Sequence, residues 1–247
     1  MDLSGKVALV TGGARRVGRA IALELARGGC DVALHYHRSA SEAGQVVGEI
    51  RALGRRAVAV QGDLEHAGHR SGVVAQTVES LGGLDVLVNN AALFAQGQPD
   101  TLENFNDAAW ERMFRVNLLA PLALVHHAKT HLAASGAGKV VNLGDSATER
   151  PGASHLAYSA SKAALVAMTR ALARSLAPDV QVNMVAPGIA VFPESYTPEL
   201  RRKLVARVPL RREGSPDEVA RCVRYLVSEG DYITGQVIPI DGGRSVV

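Results

Sequence analysis

The sequence predicts an α/β fold, a doubly wound parallel sheet of about seven strands in a single domain, with helices on both faces. Three observations lead there. Short β-branched and aliphatic runs alternate with segments of helical apolar spacing along almost the whole chain. The strand runs are nearly continuous in Val, Leu, Ile and Ala, as expected where both faces of a sheet are covered. The 247 residues, 47% of them apolar, suffice for one large core, and no linker, repeat or low-complexity stretch divides them.

Residues 6–11 form the first strand and run into Gly12-Gly13. Val17, Ala20, Ile21 and Leu25 repeat at helical spacing over 16–27, and Gly28-Gly29 stops that helix. Residues 31–36 are the second strand, 41–53 a helix, 56–61 the third strand, 66–81 a helix and 84–89 the fourth strand. A long helical region runs from 102 to about 132 and is expected to break or bend near Pro121. The fifth strand covers 139–143, a helix 155–176, and the sixth strand 180–185, ending at Pro187-Gly188. Residues 189–197 show no strong period and read as an irregular segment over the site. Ser215-Pro216-Asp217-Glu218 sets a capping serine before a proline at the first helical position, so a helix starts there, and 236–240 is the last strand.

Several function classes fall away on composition. No apolar run approaches the length of a membrane span, and the start leads directly into the first strand, so a cytoplasmic protein is expected. Cys30 and Cys222 are far apart without metal-type spacing, which suits free thiols in a reducing compartment. Net charge is +3, and the basic pairs lack interleaved aromatics or a nucleic-acid motif. The eight histidines show no metal spacing, so no metal is expected.

Two stretches carry chemistry. Between the first strand and helix lie Gly12, Gly13, Arg15, Arg16, Val17 and Gly18. Glycines there let the backbone approach a pyrophosphate while the helix N-terminus offers free N–H groups. At the end of the second strand an NAD site needs a carboxylate, but this chain has His35-Tyr36-His37-Arg38-Ser39. Arg38, Ser39 and one of the histidines suit a 2′-phosphate, with Arg16 closing from the other side, so NADPH is the expected cofactor. The second stretch is Tyr158 and Lys162, four apart and thus on one helix face. An ammonium beside a phenol favours the phenolate, which predicts a tyrosine pKa moved down from about 10 toward neutrality. A buried tyrosine beside a solvated lysine is the alternative for the pair alone.

Together with Asp63-Leu64, Asn89-Asn90-Ala91, Asn117 and Pro187-Gly188, these motifs resemble the short-chain dehydrogenase/reductase family over essentially the whole chain. The resemblance implies a Rossmann-type domain, usually tetrameric through its long helices, hence a homotetramer. It implies that Asp63 and Leu64 border the adenine and that Asn90 and Ala91 line the cofactor, as do Pro187, Gly188 and Ile189. Lys162 would hold the nicotinamide ribose, and Asn117 would organise a water-linked proton relay.

Two departures narrow the resemblance. Arg16 replaces the family's usual second glycine, and Asp145 replaces its usual serine thirteen residues before the tyrosine. Both, with the stretch from His35 to Ala40, resemble pteridine reductases, and residues 157–187 are similar to bacterial dihydromonapterin reductases. A serine suits polarising a ketone oxygen, whereas a pterin presents ring nitrogens to which a carboxylic acid can help deliver a proton. Phe94 falls where pteridine reductases place an aromatic that stacks on the pterin, a contact worth about 1 kcal/mol beyond area burial. Ala92 stands where some of them have a serine, so one polar contact is missing, and Ser146 is the alternative hydroxyl to Asp145. The expectation is an NADPH-dependent reductase of pterins or dihydropterins, with dihydrofolate a further candidate. Its catalytic residues are Asp145, Tyr158, Lys162 and Asn117, and its contacts to a pterin-like small molecule are Arg16, Phe94, Asp145 and Tyr158. The competing readings are a 3-oxoacyl-carrier-protein reductase or other carbonyl reductase, and a non-catalytic dinucleotide-binding regulator.

Overall fold

The computed structural model describes residues 1–94, 100–193 and 196–247. Its strands are β1 (Val7–Val10), β2 (Asp31–Tyr36), β3 (Ala57–Gln61), β4 (Val86–Asn89), β5 (Gly138–Leu143), β6 (Val180–Pro187) and β7 (Val237–Ile240). They form one seven-stranded sheet in the order β3-β2-β1-β4-β5-β6-β7, with every pairing parallel. The order reverses at β1, where Ala8 pairs with Val32 on one side and Val86 on the other. Such a reversal opens a crevice beyond the carboxyl ends of the strands.

Alternate residues of each strand enter different cores. Ala8 and Val10 point to one side, packing with Ile21, Leu25, Ile50 and Leu226. Val7 and Leu9 point to the other, against Val73, Leu124 and Leu132. The first side is covered by α1 (Arg16–Arg27), α2 (Ala40–Ala52) and α8 (Pro216–Ser228), the second by α3 (Ala67–Leu81), α5 (Ala120–Ala134) and α6 (Leu156–Ser175). Burial on both faces explains why the strand runs read as continuously apolar.

The predicted start of α8 is a full capping box: Ser215 Oγ accepts from the Glu218 amide, and the Glu218 carboxylate accepts from the Ser215 amide. The long helical region differs from expectation. Residue 102 is not helical; α4 (Asp107–Phe114) begins later, capped by Asn106, whose side chain accepts from the Ala109 amide. Instead of a break at Pro121, a π-helical segment, Arg115–Leu119, joins α4 to α5. Pro121 then sits in the first turn of α5, where it costs little, and the wider turn before it absorbs the bend. Helix α7 (Pro198–Val205) was not foreseen. It buries no residue, so it has no apolar stripe to read. Of the segment 189–197, Glu194 and Ser195 lie outside the described residues. Among the described residues no helix is long and apolar enough to cross a membrane.

Candidate active site

The parallel sheet brings the carboxyl ends of β1 to β6 to one edge, and the motif residues gather there. Thr11, at the end of β1, is the hub. Its Oγ1 accepts from the amides of Asn90 (2.9 Å) and Ala91 (3.0 Å) and donates to the Val88 carbonyl. The Asn90 side-chain amide returns the contact, donating to the carbonyls of Thr11 (2.8 Å) and Gly12 (3.1 Å). Asn90 and Ala91 therefore frame the glycine turn from behind. Gly12 holds φ +62°, and a Cβ there would meet Ala91 Cα at 3.1 Å.

Gly18 is where α1 closes onto that turn: a Cβ would lie 2.2 Å from the Gly12 carbonyl oxygen and 2.5 Å from Asn90 Nδ2. Neither neighbour is a flexible chain end, so Gly18→Ala should destabilise the fold by about 3 kcal/mol. Urea denaturation measures this, and a loss below about 0.5 kcal/mol would show that the turn can move aside. Arg15 is the extended N-cap of α1 without a side-chain cap bond, and Arg16 holds φ +51°. A non-glycine residue in that region costs roughly 1–3 kcal/mol, so the arginine occupies a glycine's conformation against its own preference. Val17 is half-buried. Arg15, Arg16 and Arg19 line one cavity of ≈ 400 Å³ with Val191 and Phe192.

At the end of β2 the two histidines part. His37 and Arg38 are exposed, Tyr36 and Ser39 half-buried. His37 Nε2 stands 3.5 Å from the carboxylate of Asp63, beside which His66 and His69 also gather. His35, by contrast, is 2% exposed, with Nδ1 accepting from the Gly12 amide and Nε2 against the Gly62 carbonyl. It is thus removed from the candidates for direct phosphate contact, because both ring nitrogens are spent inside the protein. Leu64 is buried beneath Asp63. On the far side of the crevice, Pro187 ends β6, the Gly188 amide donates to the Ile240 carbonyl, and the Ile189 carbonyl accepts from the Gly214 amide.

The candidate catalytic side chains meet between β5 and α6. Past the end of β5, Asp145 divides its carboxylate: Oδ1 accepts from the Ala147 amide (2.7 Å) and Oδ2 accepts from Tyr158 Oη (3.0 Å). Ser146 is buried and makes no hydrogen bond to the phenol, so Asp145 is the partner that the thirteen-residue spacing selects. Lys162 follows one turn after Tyr158, with its Nζ 5.9 Å from the ring centre, and donates to the Leu143 carbonyl at 2.7 Å. Phe94 meets the tyrosine edge-on, the ring centres 4.9 Å apart. Asn117, in the π-helical segment, accepts from the Leu93 amide and donates to the Leu93 carbonyl and to Ser161 Oγ. It clamps Leu93, in the segment past β4 that leads to Phe94.

The expected phenolate is corrected. Burial, then the negative charge and hydrogen bond of Asp145, raise the Tyr158 pKa well above 10. Lys162 does not bond the phenol, and its own burial lowers it to about 8. Tyr158 is therefore a protonated acid at neutral pH, the form a reduction requires of a proton donor.

Four contributors had no legible signal in the sequence. Thr11 is one. Asp100 is the second: its carbonyl and carboxylate accept from the amides of Leu156 and Ala157, capping α6 from a distant loop. His155 is the third, a non-glycine residue at φ +62° whose ring lies 4.7 Å from that of Phe94 and whose buried Nδ1 has no partner among the described residues. The fourth is the continuation of a buried string from β4 to α6, in which Asn89, itself part of a motif, donates to Asn142 and Asn142 to Thr169.

Known proteins resemble this chain along its length. A family model described as enoyl-(acyl carrier protein) reductase matches residues 12–245. The crystal structure of FolM alternative dihydrofolate reductase 1 from Brucella canis, complexed with NADP, is similar at 38% identity and TM-score 0.93, covering 100% of this chain and 96% of that one. A short chain dehydrogenase from Burkholderia cenocepacia J2315, in complex with NADP, matches at 39% identity and TM-score 0.91, with 99% of each chain covered. The 3-oxoacyl-[acyl-carrier-protein] reductase FabG of Staphylococcus aureus (strain Mu50) is 34% identical over 96% of this chain and 97% of its own. With the seven-stranded parallel sheet, the glycine turn and the Tyr158/Lys162 helix in place, the chain belongs to the short-chain dehydrogenase/reductase family of oxidoreductases.

Proposed function

We propose that this oxidoreductase is an NADPH-dependent reductase of pterins or dihydropterins. The observation that carries the reading is the 3.0 Å hydrogen bond between Tyr158 and the Asp145 carboxylate. A ketone oxygen needs a second neutral donor, which a carboxylate is not. A ring nitrogen needs a proton, which an acid pair can hold and pass on. Phe94, 38% exposed at the edge of Tyr158, offers a face for a flat heteroaromatic ring. The strained Arg16 supports a ligand contact at the mouth of the turn. The likeness to the Brucella alternative dihydrofolate reductase agrees with this reading.

The residues present fit NADPH. The turn around Gly12 and Gly18 leaves no room for side chains, the start of α1 has no side-chain cap, and the end of β2 carries His37, Arg38 and Ser39 in place of a carboxylate, the Asp63 carboxylate beside it being paired with His37. When bound, this cofactor supplies the hydride. Tyr158 gives the proton at Oη to the ring nitrogen and regains one from solvent, Asp145 orients the phenol by accepting its hydrogen bond, and Lys162, one turn along α6, donates to the Leu143 carbonyl. Asn117 positions the Leu93 backbone and with it Phe94.

A second reading, reduction of 3-oxoacyl thioesters, is favoured by the 34% identity to the staphylococcal reductase. An NADPH oxidation assay with dihydrobiopterin, dihydromonapterin, dihydrofolate and an acetoacetyl thioester separates the two. A dihydropterin should be turned over fastest. Activity confined to the thioester overturns the pterin reading.

A further inference from the structure

We propose that His35 is a positioning residue for nucleotide binding: by holding the first two amides of the glycine turn and the end of β3 together, it sets the turn's distance from Asp63. The inference rests on the NADPH reading and is independent of the substrate. Three hydrogen bonds define the clamp. The Gly12 amide donates to Nδ1 at 3.2 Å, the Gly13 amide donates to the His35 carbonyl at 3.0 Å, and Nε2 lies 3.0 Å from the Gly62 carbonyl.

Only one protonation state satisfies both ring contacts. An amide pointing at Nδ1 needs a lone pair there, and a carbonyl facing Nε2 needs a proton there. The neutral Nε2–H tautomer supplies both, whereas imidazolium has no acceptor for Gly12. The ring is also kept neutral: burial lowers its pKa to about 4, the Gly62 carbonyl opposing, with His37 and Asp63 the charged neighbours. Gly62 suits the role, since a Cβ there would meet Val73 at 2.8 Å and the His35 ring at 3.5 Å.

The clamp has a consequence for anion binding. The Gly12 and Gly13 amides are already committed to His35, so they are not donors for a pyrophosphate. Anion contacts fall to later amides, at the start of α1, where the Arg15 side chain makes no cap bond, and their place is set by where His35 hangs the turn. On the other side Gly62 directly precedes Asp63, so one ring fixes both walls.

The test uses the full chain and NADP+. Calorimetry should show His35→Phe, which fills the space without an acceptor, weakening NADP+ binding by about tenfold or more, while kcat with saturating NADPH changes by less than about threefold. His35→Asn places a carboxamide oxygen near the Nδ1 position but leaves the Gly62 carbonyl without its donor, so its affinity should fall between those of wild type and the Phe variant. Nitrogen-15 spectra of the wild-type histidine should show the neutral Nε2–H tautomer from pH 7 to pH 5, a readout that needs no turnover. Phe binding as tightly as wild type, Asn as weak as Phe, or an Nδ1–H or charged ring at pH 6 would each overturn the proposal. If the Phe variant does not fold, the Asn variant and the spectra decide. A folded wild-type chain that binds neither NADP+ nor NADPH overturns the cofactor reading instead, a result distinct from any difference among the variants.

Discussion

Tyr158→Phe should lower NADPH-dependent turnover about a thousandfold, while the NADP+ dissociation constant stays within about twofold of wild type. The substitution removes one oxygen and keeps the ring that meets Phe94 edge-on. It leaves Asp145 Oδ2 without its donor, but Oδ1 still accepts from the Ala147 amide, so the turn after β5 persists. The loss therefore falls on chemistry and not on binding. Because burial and Asp145 hold the phenol's pKa well above 10, ionisation of Tyr158 does not shape the wild-type rate between pH 6 and 9. An alkaline limb near pH 8 is expected from Lys162, whose buried ammonium loses its proton there. Stopped-flow turnover and calorimetry on the same samples check both parts, and a Phe variant with unchanged turnover removes the tyrosine from the mechanism.

Asp145→Ser should impair reduction of a dihydropterin by about a hundredfold and leave thioester reduction unchanged or faster. Serine still caps the Ala147 amide, so the change in stability should be no more than about 1 kcal/mol. What it removes is the negative charge beside the phenol. Since that charge is the second cause of the raised pKa, after burial, Tyr158 should ionise at lower pH in the variant. Ultraviolet titration at 295 nm, with the other four of the five tyrosines as the constant background, reads this shift. A variant that keeps full dihydropterin activity would sink the idea that the carboxylate serves protonation of a ring nitrogen.

The strands were legible because a parallel sheet covered on both faces leaves unbroken apolar runs, and their crossovers follow from strand-helix alternation. Helix α7 was not, since its face of Arg201, Arg202 and Lys203 covers no core. Pro121 announced a disturbance but not its form, because a proline marks where a hydrogen bond is missing and not how the chain widens around it. His35 and His37 look alike in sequence. Only the parity of β2 separates them: His35 shares a face with Ala33, which packs toward α3, while His37 lies past the strand in solvent. The Tyr158/Lys162 pair was found by spacing, yet its electrostatics came out reversed. Helix spacing gives proximity, whereas the pKa depends on burial and on a carboxylate brought in by β5, neither of which a periodicity contains.

The polar string from Asn89 through Asn142 to Thr169 works as a key in a slot. Sliding α6 by one residue would turn its face by about 100° and leave the Asn142 amide unpaired in the interior, at a cost of about 1–3 kcal/mol. The aim of Tyr158 and Lys162 is thus locked from farther along their own helix, at a point closed to solvent. Residues on the outer face of α6, such as Arg170 and Arg174, are released from that duty. Substitutions there should leave the bearing of Tyr158 and Lys162 untouched.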